Sequence, residues 1–266
     1  MIDTNTLKII AIIAMIIDHI GSYFVAPINQ DLYYIFRSIG RIVMPIFLYL
    51  LVQGFFHTKN IKKYIFRVFC LATITQVILL LLGIINQLYF PEYYTRVNEY
   101  IGILFSYTLS LIFISMLEYK CLFKKLNKYF NLIFRLVIMV TILIIYLNID
   151  IEFDMRIPFM CVELYIIEKI FMDKQKNTLL LNRKFNDKKE KWLFKIIYYI
   201  LILISFITSL DFSTYHPGYK YSIMFSIIPL LLYNGKRKNK NKFIQILFYA
   251  IFPVQHMVLY LLAMII

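Results

Sequence analysis

Long apolar runs alternate with short polar segments along almost the whole chain. A helix that crosses a bilayer needs about 20 mostly apolar residues. The pattern therefore predicts nine membrane-spanning helices, near residues 7–26, 33–56, 61–83, 99–118, 130–147, 157–172, 192–210, 219–233 and 242–263. The sixth and eighth of these runs are short for a span. The longest polar stretch, 173–191, is predicted to be a basic cytoplasmic loop and not a domain.

The composition supports the same fold class. Apolar residues make up 61% of the 266 residues, whereas a soluble domain contains about 45–50%. This excludes an ordinary soluble enzyme, and a chain this apolar cannot remain solvated and disordered. We therefore expect an all-α, polytopic membrane helix bundle, built as one integral-membrane domain over residues 1–266 and located in the cytoplasmic (cell) membrane.

Basic residues are concentrated in alternate loops. The net charge is +14, from 29 Lys and Arg against 15 Asp and Glu. Between the predicted spans, 24 Lys and Arg fall on one side of the membrane and three on the other, while Arg37 and Arg41 fall inside a span. Lys- and Arg-rich loops stay in the cytoplasm, so the N-terminus is predicted inside and the C-terminus outside. Membrane sidedness explains this charge without a nucleic-acid partner.

The cysteines and histidines do not form a metal-binding pattern. Cys70, Cys121 and Cys161 lie far apart in apolar or basic surroundings. Their spacing fits neither a disulfide framework nor a zinc site, and no four ligands occur at metal spacing. We expect no metal ion.

Ionisable side chains inside the predicted spans mark a candidate site, because a charge at membrane depth is costly and by default functional or paired. Asp18 and His19 lie in the first span and point about 100° apart on a helix. Arg37 and Arg41 are four residues apart in the second span, so they share one face. Arginine stays charged and needs an anionic partner. We expect Asp18 to pair mainly with Arg37 or Arg41 and to hold the two spans together. The alternative to a functional site at Asp18 and His19 is a structural polar lock between helices.

A second histidine lies well inside the last span. His256 follows Pro253 by three residues, and the proline is expected to bend or open the helix. The predicted topology places six groups in the outer half of the membrane, which suggests a common polar cavity: Asp18, His19, Arg37, Arg41, Asp154 and His256. Either a structural role or a catalytic role fits His256 at this point.

Several of these residues belong to segments that together resemble the TraX family. The segments are LKIIAIIAMIIDHIGSYF, RSIGRIVMPIFLYLLVQGFFHTKNIKKYIFRVFCLATITQV and PLLLYNGKRKNKNKFIQILFYAIFPVQHMVLYLL. The resemblance covers most of the chain outside 119–150 and 173–191. The chain departs from the family's pattern at Asp154-Met155-Arg156, where the family has Asp-Tyr-Gly, and in the final motif at Phe252 and Gln255.

The resemblance implies an activity and a site. The family's named activity is N-acetylation of pilin, and its members are similar to membrane-embedded acyltransferases that use cytosolic acyl-CoA. A membrane histidine is central to that chemistry, and the matching residue here is His19, with Asp18 beside it and Arg37 and Arg41 as the matching arginines. We therefore predict His19 as the general base, with His256 as the alternative base.

The leading hypothesis from the sequence is an integral-membrane N- or O-acyltransferase that uses acetyl-CoA. Its acceptor is expected to be an exported peptide such as a pilin, a glycan or a lipid. Basic residues at the inner helix ends are candidates for binding the phosphates of CoA: Lys59, Lys62, Lys236 and Arg237. Two alternative functions remain open. One is a transporter or permease, which the lack of internal repeats disfavours, and the other is a non-catalytic membrane protein that confers immunity or resistance.

Overall fold

Each predicted apolar run forms helical structure in the computed structural model, which describes residues 2–89, 101–118, 127–173, 178–179, 188–211, 221–235 and 242–265. The helices are α1 (Thr4–Ile20), α2 (Gln30–Gly40), α3 (Val43–His57), α4 (Ile61–Tyr89), α5 (Ile103–Leu117), α6 (Lys128–Asn148), α7 (Arg156–Phe171), α8 (Lys188–Asp211), α9 (Ile227–Leu232) and α10 (Lys242–Ile265). A π-helical turn (Gly21–Val25) extends α1, and a 3₁₀ turn (Tyr221–Ser226) precedes α9. The prediction of a helical membrane bundle is confirmed.

The basic stretch after α7 contains a small hairpin and the start of a helix. Strands β1 (Met172–Asp173) and β2 (Thr178–Leu179) pair antiparallel, with Met172 opposite Leu179. Helix α8 begins at Lys188, inside the stretch that the sequence predicted to be a loop.

Five helical stretches in the described part of the chain are long and apolar enough to cross a membrane: Thr4–Val25, Gln30–His57, Ile61–Ile85, Lys128–Asn148 and Trp192–Ser209. Shorter apolar helices occur at Ile103–Leu117, Tyr221–Leu232 and Phe248–Ala263. The chain is therefore a multi-pass membrane protein by length and composition. The count of nine spans and the inward N-terminus remain predictions.

The second predicted span is divided into two helices. Helix α2 ends at Gly40 and α3 begins at Val43, with the Arg41 amide shared between the carbonyls of Arg37 and Ser38 at 3.1 and 3.3 Å. Pro45 lies in the first turn of α3, where its missing N–H is tolerated, but it could not have continued the ladder from α2. The break sets Arg41 between the two helices.

The chain packs as two compact units, one made of Met1–Phe56 with Glu163–Ile266 and the other of His57–Val162. In the first unit, Ile2 pairs with the end of α9: its amide donates to the Leu232 carbonyl at 2.8 Å and its carbonyl accepts from the Asn234 amide at 3.0 Å. The Asp3 carboxylate caps α1 by accepting from the Thr6 amide at 2.8 Å. The prediction of a single domain over 1–266 stays a prediction.

The second unit has its own apolar centre, where Ile142, Tyr146 and Ile151 are buried. The Tyr146 hydroxyl donates to the Ser106 carbonyl at 3.0 Å, which ties α6 to α5. The Arg135 guanidinium donates to the carbonyls of Met116 and Leu117, and so satisfies the exposed carbonyl end of α5.

Candidate functional site

Asp18 lies between two arginines at the contact of α1 and α2. Its carboxylate accepts from Arg37 Nη1 at 2.7 Å and from Arg41 Nη2 at 3.3 Å. Asp18 and Arg41 are buried, with 9% and 6% of their surface exposed. The expected pairing of Asp18 with an arginine is confirmed, and it extends to both arginines. We call these three residues the ion triad.

Glycine at two positions lets α1 approach α2 this closely. A Cβ atom added to Gly40 would overlap the carboxylate of Asp18, and one added to Gly21 would come within 2.6 Å of the Cβ of Phe36. A side chain at either position would push the helices apart. The geometry of the ion triad therefore depends on the absence of side chains at these two positions.

The ion triad carries a surplus positive charge, because two guanidinium groups share one carboxylate. Arg37 Nη1 also donates to Ser22 Oγ at 3.0 Å, and Arg41 Nε donates to the Arg37 carbonyl at 3.3 Å. Arg37 Nε is buried and has no hydrogen-bond partner among the described residues. Desolvated donors of this kind bind anions and developing negative charge strongly.

Two imidazole rings lie next to the ion triad, since His19 follows Asp18 in α1. The rings of His19 and His256 have centroids 4.2 Å apart and are tilted by 49°. Gln255 Nε2 lies 3.1 Å from His19 Nδ1. His256 Nδ1 and Gln255 Oε1 are buried with no hydrogen-bond partner in the described part of the chain. We call His19 and His256 the imidazole pair.

Further contacts hold α10 against α1 on both sides of the imidazole pair. Lys8 Nζ lies 5.2 Å from the ring centroid of Phe248. Beyond the pair, Tyr23 meets Tyr260 edge to face, with centroids 6.2 Å apart. Pro253 lies inside α10, where it removes one backbone donor. The position of the pair is therefore set by packing along the length of both helices.

The first unit brings together five of the residues that the sequence predicted for the site: Asp18, His19, Arg37, Arg41 and His256. Asp154 belongs to the second unit, so the sixth member of the expected cavity stays a prediction. Lys59 and Lys62, which are exposed, also belong to that unit. Lys236 and Arg237 lie outside the described residues. The proposed phosphate contacts of all four stay predictions.

A second buried polar cluster, which was not predicted from the sequence, lies in the first unit. Tyr198 donates to the Glu168 carboxylate, Tyr49 and Tyr198 share a hydrogen bond of 2.8 Å, and Gln53 Nε2 donates to the Tyr49 hydroxyl at 3.1 Å. Glu168 is only 1% exposed. We call these four residues the tyrosine cluster. The one feature of the sequence that could have indicated this cluster is Glu168, a glutamate within an apolar run.

The tyrosine cluster extends toward the N-terminus of α1. Tyr233 packs edge to face on Tyr49 with centroids 6.0 Å apart, and its hydroxyl shares a hydrogen bond of 2.9 Å with Thr4 Oγ1. Within the described residues, no group of three or more His, Cys, Asp or Glu side chains is placed to hold a metal ion.

The sequence of this chain is similar to those of known proteins. The model of the family described as "TraX protein" matches residues 3–263. A segment of 70 residues is 40% identical to the "Probable fimbrial assembly protein FimC, serogroup H1" of Dichelobacter nodosus. That similarity covers 26% of this chain and 28% of the relative. No solved structure matches the chain.

Proposed function

The chain belongs to the TraX family, and from this premise we propose that it is an integral-membrane acyltransferase. It moves an acetyl group from cytosolic acetyl-CoA to an amine or a hydroxyl of an exported acceptor. The membrane in question is the cell membrane. The observation that carries the proposal is the imidazole pair, with centroids 4.2 Å apart, beside an ion triad with surplus positive charge.

This arrangement supplies the two things that acyl transfer from a thioester requires. One is a group that takes the proton from the attacking nucleophile, and a neutral imidazole is suited to that task. The other is positive charge or hydrogen-bond donors for the oxyanion that forms on the carbonyl oxygen. Arg37 offers a buried donor at Nε, and His19 lies in the helix that carries Asp18.

The proposed reaction conserves every atom of the two substrates. The acceptor nitrogen or oxygen attacks the carbonyl carbon of the thioester, and its proton passes to an imidazole nitrogen. The C–S bond then breaks, and the thiolate of CoA leaves. The same imidazole returns the proton to the thiolate, so that the products are the acetylated acceptor and free CoA.

The donor and the acceptor approach from opposite sides in this proposal. The phosphates of CoA bind basic residues at the inner helix ends, with Lys59, Lys62, Lys236 and Arg237 as the candidates. The acceptor is an exported peptide of the pilin type, with glycan or lipid acceptors as the other outcomes of the test. The name of the FimC relative, a probable fimbrial assembly protein, supports a pilus-associated acceptor.

Mass spectrometry tests this function directly. Exported peptides, envelope glycans and lipids are compared between cells with and without the protein, and the acceptor is the species that loses one acetyl group on deletion. Purified protein in lipid nanodiscs is then supplied with acetyl-CoA labelled in the acetyl group and with that acceptor. Transfer of the label supports the proposal, whereas unchanged acetylation in all three fractions contradicts it.

A matched pair of variants links the activity to the site. His256→Ala removes one ring of the imidazole pair, whereas His57→Ala removes an exposed histidine at the end of α3. We expect the first to lower turnover by about 10²–10⁴-fold, the usual contribution of a general acid or base. The second is expected to leave turnover unchanged. Equal activity of the two variants would remove the imidazole pair from the reaction.

A further inference from the structure

The side-chain amide of Gln255 is hydrogen-bonded to one nitrogen of the imidazole pair. Its Nε2 lies 3.1 Å from His19 Nδ1, and the glutamine is only 6% exposed. An amide nitrogen has hydrogens to donate and no lone pair to offer. Nδ1 of His19 must therefore be the acceptor, which leaves the ring proton of neutral His19 on Nε2.

The opposite orientation of the amide would be less favourable. A half-turn of the amide would place Oε1 against the ring, but both hydrogens of Nε2 would then lack an acceptor among the described residues. In the observed orientation the atom without a partner among the described residues is the oxygen, Oε1. Buried donors without partners are rarer in proteins than buried acceptors without partners. The number of satisfied hydrogen bonds therefore favours the observed orientation, in which Nε2 of Gln255 faces Nδ1 of His19.

The tautomer decides what each histidine can do. A neutral ring protonated on Nε2, with its Nδ1 occupied, presents a donor and no free lone pair. His19 in that state can stabilise negative charge but cannot take a proton. Nδ1 of His256 is buried and has no partner in the described part of the chain. A buried N–H without a partner is rarer than a buried acceptor without one, so Nδ1 of His256 is the unprotonated nitrogen of that ring and its lone pair can accept a proton.

We propose that Gln255 is a positioning residue that holds His19 as a hydrogen-bond donor and thereby leaves His256 as the general base. The proposal rests on the acyltransferase function proposed above. The proton of the acceptor passes to His256 Nδ1 and from there to the thiolate of CoA. His19 keeps its Nε2 proton throughout and donates a hydrogen bond to the oxyanion. This assignment gives the role of general base to His256, the alternative base of the sequence-based prediction, and not to His19.

Glutamine substitutions separate the two histidine roles, because a glutamine side chain can donate a hydrogen bond but cannot act as a base. His19→Gln should retain turnover within about ten-fold of the wild type, since a donor is preserved. His256→Gln should lose about 10²–10⁴-fold, since the base is lost. The reverse order, with His19→Gln inactive and His256→Gln active, would overturn the assignment.

The tautomer itself can be measured without any acetyl transfer. The chain has four histidines, so ¹⁵N-histidine labelling of the full-length protein in nanodiscs gives few signals, and His19→Gln identifies the one that belongs to His19. We expect an unprotonated Nδ1 and a protonated Nε2 for His19. In Gln255→Leu the preference should be lost, and kcat should fall while KM for acetyl-CoA stays unchanged. His57→Ala serves as the control variant.

The two measurements distinguish failure of the inference from failure of the proposed function. If the wild type transfers no acetyl group to any acceptor, the acyltransferase proposal fails, and the nitrogen signals still decide the tautomer. If acetyl transfer occurs but His19 carries its proton on Nδ1, the role given to Gln255 is wrong and the acyltransferase proposal survives.

Discussion

Replacing Asp18 by asparagine should destabilise the protein strongly, because its carboxylate is the ion-pair partner of both the half-buried Arg37 and the buried Arg41. The exposed fractions of the Arg37 and Arg41 side chains are only 19% and 5%. Removing one partner of a buried ion pair costs about 3–5 kcal/mol, because it leaves a charge uncompensated in a poorly solvated place. Asparagine keeps one acceptor but no charge, and the repulsion between the arginines remains. We expect a loss near the upper part of that range.

The measurement is equilibrium unfolding of the purified protein in mixed detergent micelles, followed by circular dichroism. Asp31→Asn is the matched control, because Asp31 is an exposed aspartate in the first turn of α2 and should cost no more than about 1 kcal/mol. Adding Arg41→Met to Asp18→Asn should recover part of the loss, since the most deeply buried charge is then removed. Equal losses for Asp18→Asn and Asp31→Asn would refute the reasoning.

Three further predictions concern packing and topology. Gly40→Ala should lower the free energy of unfolding by about 1–3 kcal/mol in the same assay, because the added methyl group would overlap the ion triad. Gly102→Ala is the control and should cost less, because its Cβ would meet only the flexible end of the Gln76 side chain at 3.3 Å. Tyr198→Phe should cost about 1–3 kcal/mol because it removes a donor to the buried Glu168 carboxylate; a wild-type unfolding curve would contradict this. Reporter fusions after residue 184 should be cytoplasmic and fusions after Ile266 exported; both on one side would contradict nine spans.

The helical fold was accessible from the sequence because its signal is local. Every predicted span coincides with helical structure in the described residues, since hydrophobicity over a window of about 20 residues reports whether a segment can enter a bilayer. The division of the second span into α2 and α3 was less accessible. Pro45 was visible, but the sequence alone did not show whether it would bend a continuous helix or end one.

The part of the candidate site that could be predicted from the sequence was the part in which a charged side chain needs an ion-pair partner within the membrane. Asp18 with two arginines nearby in sequence had few alternatives in a membrane. Gln255 and Tyr198 carry no charge, so the sequence did not require either of them to have a partner, although Gln255 was visible as a departure from the family's final motif. Their roles depend on which faces of helices far apart in sequence meet: Gln255 is 236 positions from His19, and Tyr198 is 30 positions from Glu168. Helix periodicity does not contain that information.

The two polar clusters of the first unit lie near opposite ends of α1, and this spacing bears on the proposed reaction. Thr4 contacts Tyr233 beside the tyrosine cluster, whereas Asp18 forms the ion triad. Asp18 follows Thr4 by fourteen positions of α-helix, a distance of about 21 Å at 1.5 Å per residue. That distance is most of the roughly 30 Å hydrocarbon core of a bilayer.

With the N-terminus inside, as the loop charges predict, the imidazole pair lies far from the cytoplasm. A thioester donor that is bound by its phosphates at the inner surface must therefore extend deep into the bundle. For this reason the proposed chemistry requires a donor whose acyl group is carried on a long arm, as it is in acetyl-CoA.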